Sequence, residues 1–114
     1  MRFTNALATI GIALSASLAH AVDCTAPDAP AVPAGKHASQ KEMLEAQRRV
    51  KDYVAEAEQY IACLKAEEQA LGEDASKEQR LKIVGLYNEM VDEMKATSDE
   101  FNTSVQAFQT ASTQ

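Results

Sequence analysis

Metal-binding and redox motifs are missing from this sequence. It holds two cysteines, Cys24 and Cys63, and two histidines, His20 and His37. His20 falls in an N-terminal stretch that reads as a cleavable leader, which leaves one imidazole and two thiols, too few for a tetrahedral zinc site. His37 reads as an ordinary loop histidine. No Cys-x-x-Cys pair occurs, so a thioredoxin-like role lacks its reactive thiol. The four glycines, Gly11, Gly35, Gly72 and Gly85, stand far apart and form no phosphate-cradling loop. Cations are also short, with eleven Lys and Arg against seventeen Asp and Glu, a formal charge of −6. Nucleic acids and anionic membranes attract clustered cations, so this balance argues against either as a partner. The one basic cluster, Arg48, Arg49 and Lys51, reads as a solvated helix face, with an anion site as the alternative. Carboxylates such as Glu67, Glu68, Glu73 and Asp74 lie where a solvated helix end would put them. A pair of acids is not catalytic without a cleft. The sequence therefore predicts a non-enzyme with no cofactor and no metal.

What is present begins with "MRFTNALATIGIALSASLAHAVDC". Arg2 supplies a short positive region, an uncharged and mostly apolar run follows, and small residues flank a cleavage site after Ala21. These are the three parts of a secretory signal peptide over residues 1–21. The apolar run is short of the roughly 20 residues a bilayer span needs. Cys24 follows Asp23 rather than a small residue, which disfavours a lipoprotein. Cleavage removes Arg2 and leaves residues 22–114 with ten cations against seventeen carboxylates, a charge of −7. A chain of this size buries only about 60% of its unfolded surface, so it needs a staple or a partner.

Two helices are legible. "SQKE" at 39–42 is a capping box. From there apolar residues recur at three-and-four spacing: Met43, Ala46, Val50, Tyr53, Ala57, Tyr60, Leu64 and Leu71. That spacing predicts one helix over 39–71, stopped at Gly72. A turn over 72–76 leads to a second capping box, Ser76 with Gln79. The second seam reads Val84, Tyr87, Val91, Met94, Ser98, Phe101, Val105 and Phe108, in a helix over 77–110 with a frayed tail at 111–114. So short a link makes the helices antiparallel neighbours. Pairing positions that sum to 151 sets Met43 against Phe108, Val50 against Phe101, Tyr53 against Ser98 and Leu64 against Tyr87.

The remaining segment, 22–38, contains "CTAPDAPAVPAG" and all three prolines. Prolines every third residue fit a polyproline II helix with the prolines along one edge. A docking ligand for an aromatic-lined groove is one reading; a structural strap is the other. Cys63 lies about 36 Å along the first helix. The segment from Cys24 to Ala38 spans about 43 Å when extended. It can reverse at Gly35, run back along the helix and reach Cys63. An exported chain with two cysteines points to a Cys24–Cys63 disulfide, with free thiols or an intermolecular bridge as alternatives. Ile83 and Met90 flank the second seam on the side such a strap would cover. The opposite flank carries Val54, Ile61 and Leu81, with no segment left to cover it, and is the candidate interaction surface.

The run "ASQKEMLEAQRRVKDYVAEAEQYIACL", residues 38–64, resembles small exported proteobacterial proteins of uncharacterised function, which pair a cysteine and proline-rich lead with a helix carrying a second cysteine. The resemblance implies an envelope location and no known activity. A repeated "LTxxQ" element, carried by some helical-hairpin periplasmic chaperones, is absent. The expectation is an all-α antiparallel two-helix hairpin, coiled-coil-like, with an extended N-terminal segment pinned by a disulfide. Its expected role is a periplasmic or secreted interaction or structural protein, with a holdase-type chaperone as the alternative. The expected partner is a second copy in a weak homodimer or an envelope protein.

Overall fold

A computed structural model describes residues 24–114; the signal peptide expected over 1–21 lies outside the described residues. Two helices, α1 (Gln40–Ala70) and α2 (Lys77–Ser112), pack antiparallel as a hairpin. Each starts at a reciprocal cap. The Ser39 amide donates to the Glu42 carboxylate at 2.6 Å, and the Glu42 amide donates to the Ser39 hydroxyl at 3.2 Å. Ser76 and Gln79 repeat the exchange at 2.9 and 3.1 Å. Two otherwise orphaned donors are satisfied at each start. α1 ends where Gly72 takes φ +69°, the left-handed geometry that closes a helix without a Cβ penalty. The Arg80 guanidinium donates to the Gly72 carbonyl and ties the start of α2 to the turn.

Along α1 the buried residues are Met43, Ala46, Val50, Tyr53, Ala57, Tyr60 and Leu64, the seam expected from their spacing except for Leu71, which caps the helix and is only partly buried. On α2 the seam differs. Ile83, Met90, Thr97 and Ser104 are buried, whereas Val84 and Val91, placed at the seam by periodicity, are 42% and 40% exposed. The partly buried Tyr87, Met94, Phe101 and Phe108 belong to both patterns. Half of the expected α2 seam is thus displaced by one residue. Tyr53 accordingly faces Thr97, not Ser98, and Met43 meets the Ser104 hydroxyl at 3.7 Å. The cause is a third packing element. Two helices alone would centre their stripes on each other, but here residues 24–38 lie along one side and draw the buried row of α2 toward them.

That segment is a strap. Residues 24–34 have neither helix nor strand, and their exposure repeats every third residue. Cys24, Pro27, Pro30 and Pro33 are half-buried, while the residues between them are exposed except for Val32. Its beginning lies beside Glu56, Gln59, Tyr60 and Cys63, and its end beside Glu42, Glu45 and Arg49, so it runs antiparallel to α1. The Cys24–Cys63 disulfide fixes the beginning, with Cα atoms 5.7 Å apart. At the other end the Ser104 hydroxyl donates to the Pro33 carbonyl. Gly35, buried at φ +83°, turns the chain into α1, and the Ala38 amide closes the turn on the Gly35 carbonyl at 3.2 Å. Small Thr97 and Ser104 suit this side of α2, because they let the strap backbone approach closely.

Candidate functional site

The helix pair has two long sides, and the strap occupies one. The other is built from two rows on each helix. On α1 they are Gln47, Val54, Ile61 and Glu68, flanked outward by Leu44, Lys51, Glu58 and Lys65. On α2 they are Val84, Val91, Ser98 and Val105, flanked by Leu81, Asn88, Lys95, Asn102 and Gln109. Seven-residue spacing stacks each row along one side of its helix.

Of the three residues expected on this surface, Val54 and Ile61 are partly buried and pack against the core, and Leu81 is 57% exposed at the outer edge. Sequence reasoning missed Leu44, 53% exposed, and assigned Val84 and Val91 to the seam. The displacement of the α2 seam moves those valines onto this open side. Two half-open apolar hollows lie at its ends. One, near the turn, is lined by Leu64, Lys65, Ile83, Val84 and Tyr87. The other, near the strap reversal, is lined by Met43, Leu44, Phe101, Val105 and Phe108. No strap residue lines either hollow. Lys65 extends across the first, with its ammonium 5.7 Å from the centre of the Tyr87 ring, a cation–π distance.

Charge divides between the two sides. The open face carries three ammonium groups, Lys51, Lys65 and Lys95, against the carboxylates of Glu58 and Glu68 and that of Asp99, which pairs with Lys95. Flanking the strap are Glu42, Glu45, Asp52, Glu56, Glu89, Glu93 and Glu100, with Arg49 and Lys82 the cations among them. The open face is therefore close to neutral on a chain whose formal charge is −6.

Titration reflects this layout. Burial pushes the Tyr60 phenol above its usual value, and the nearby charges of Glu89, Glu67 and Glu93 add to the shift. Burial likewise raises Tyr53, and the Glu93 charge adds to it. The facing Thr97 hydroxyl works the other way, although the enclosed Tyr53 hydroxyl makes no hydrogen bond of normal geometry. The Ser39 backbone and side-chain hydrogen bonds hold Glu42 below the usual carboxylate value.

Cys24, Cys63 and Glu67 bring ligating atoms within 4.8 Å of one another. The two sulfurs are joined to each other, which leaves one carboxylate as an available ligand. His37, Arg48, Arg49 and Lys51 are exposed. Among the described residues no helix is long and apolar enough to cross a membrane. The disulfide fits an oxidising compartment. No family model, curated protein or solved structure matches this chain.

Proposed function

We infer that the protein is a non-enzymatic interaction or structural module of the periplasm or the secreted fraction, working through the side of the hairpin opposite the strap. The observation that carries this reading is the asymmetry of the helix pair. One side is closed by the strap and its disulfide, while Leu44, Val84 and Val91 on the other are 53%, 42% and 40% exposed. Exposed aliphatics grouped on one side of two helices mark a contact site more often than scattered single ones do. The leader and the disulfide support export. The open hollows also fit the alternative role, a holdase that shelters apolar segments of unfolded clients.

The test is a comparison of the exported protein with an L44S/V84S variant, since both residues are exposed. Both should show the same circular dichroism. Site-specific photocrosslinking from position 91 in intact cells should give a discrete product with the parent that the variant loses. Suppression of aggregation of an unrelated unfolded client, lost in the variant, would favour the holdase role. Absence of both crosslinking and suppression would refute an interaction role for this face.

A further inference from the structure

The open face has a symmetry of its own, and it points to the occupant. The midpoint of α1 lies at residue 55, next to Val54, and that of α2 lies between 94 and 95. The two apolar hollows sit at opposite ends, one around residues 64–68 and 83–88 and the other around 40–47 and 101–109. They are about 30 Å apart along the helices and nearly equidistant from those midpoints. We propose that a second copy of this chain packs on this face, related by a two-fold axis that crosses the hairpin beside Val54 and between Met94 and Lys95, to form an antiparallel four-helix bundle. The proposal rests on the reading of this face as an interaction surface and specifies its partner.

The axis makes the pairing explicit. Each α1 lies antiparallel over the other, and each α2 does the same. Val54 then meets its own counterpart, and Ile61 meets the second copy's Gln47. Leu44, exposed at the edge of one hollow, is carried to Lys65 at the edge of the opposite hollow. Val84 is carried to Val105, and Val91 to Ser98. Every such contact occurs twice, as an isologous interface requires.

Charge follows the same operation. Lys51 and Glu58 are both exposed on one row of α1. The axis sets Lys51 of each copy against Glu58 of the other, giving two opposite-charge pairs on the rim. Lys95 falls beside its own counterpart, and its charge is offset by Asp99 at 3.5 Å. The carboxylates of Glu42, Glu45, Glu56, Glu89 and Glu93 stay on the strap sides, facing away from the interface. A chain with a formal charge of −6 thus meets itself across a nearly neutral face.

Size agrees as well. The 31 residues of α1 make the face about 46 Å long, and two helix diameters make it about 20 Å wide, or about 900 Å² per copy. A standard stable interface buries about 800 Å² per partner.

Sedimentation of the oxidised exported chain should show a dimer. With Cys24–Cys63 intact, a V54C variant should crosslink to itself under mild oxidant. K51E and E58K, both on exposed residues, should each weaken the dimer several-fold, and the K51E/E58K double variant should restore it. A chain monomeric up to about 1 mM, the weak end of specific association, would overturn the proposal. So would a dimer in which V54C does not crosslink and the double variant does not recover, because that dimer would use another surface. A monomeric chain whose position 91 still crosslinks to a different envelope protein would overturn the second copy as occupant while leaving the interaction role intact.

Discussion

Gly35 lies against Ser104 so closely that a side chain on it would collide with the Ser104 carbonyl. The contact joins the point where the strap reverses to the far half of α2. Two demands meet at this one residue, the space and the positive φ of +83°. Replacing Gly35 by alanine should destabilise the fold by about 2–3 kcal/mol, because neither the conformation nor the space tolerates a methyl group. Gly72 is a control. It shares the positive φ but has nothing within 4 Å of an added Cβ, so Gly72→Ala should cost about 1 kcal/mol. Urea unfolding of both variants checks the ranking.

Met90 and Val91 are neighbours with opposite fates. Met90 is 2% exposed and Val91 is 40% exposed. Met90→Asp buries an unpaired charge and should leave the monomer unfolded at room temperature. Val91→Asp should retain helicity and melt within a few degrees of the parent, while abolishing association. Circular dichroism of the pair separates the observed seam from the one periodicity suggests; a folded Met90→Asp would reverse the assignment.

Protein from an oxidising compartment should contain no alkylatable thiol, with a Cys24–Cys63 linkage within one chain as the main species in mass spectrometry. The bond joins residues 39 apart in sequence. A loop of this length is worth about 4 kcal/mol in the chain-entropy model. Reduction should lower the urea midpoint accordingly and make residues 25–34 the first site of proteolysis. Equal midpoints with and without reductant would show that the strap is held without its covalent pin.

Alkaline pH should destabilise the protein through its two seam tyrosines. The folded-state values of Tyr53 and Tyr60 are raised above 10.0, burial being the main cause. The neutral phenols are thus favoured by the fold. This contribution is complete below the unfolded value of about 10 and is lost as pH rises through the higher folded values. Thermal melts between about pH 9 and pH 12 should fall, and a Tyr53→Phe/Tyr60→Phe variant should fall less. Tyr53→Phe alone also removes a buried hydroxyl without a normal partner, so it should be neutral or stabilising by up to about 1 kcal/mol.

The sequence carried much of the architecture because its signals were local. Ser39–Glu42 and Ser76–Gln79 each lie within one helical turn, and the α1 seam repeats along one helix. The lengths of the strap and of α1 were enough to place Cys24 beside Cys63. The α2 seam was less legible because a seam is a property of everything packed against it. Val84 and Val91 match the heptad as well as Ile83 and Met90 do, and only the strap on one side decides between them. Thr97 and Ser104 gave no hydrophobic signal at all, since they are buried for smallness and, in Ser104, for its hydroxyl. The same shift concealed part of the candidate surface: once Val84 and Val91 were counted as core, the open side looked smaller than it is.

The disulfide also makes the backbone a lariat. Cys24 and Cys63 close a covalent ring that contains the strap and most of α1, and α2 hangs from that ring as a tail. A single cut within 25–62 opens the ring but releases no fragment, because both ends stay bonded. A single cut in the connection over 71–76 divides the molecule into the ring and a free α2, held together only by packing. Proteolytic damage on the strap side is therefore survivable, whereas one break at the hairpin turn makes α2 an exchangeable part that can leave the ring or pair with another.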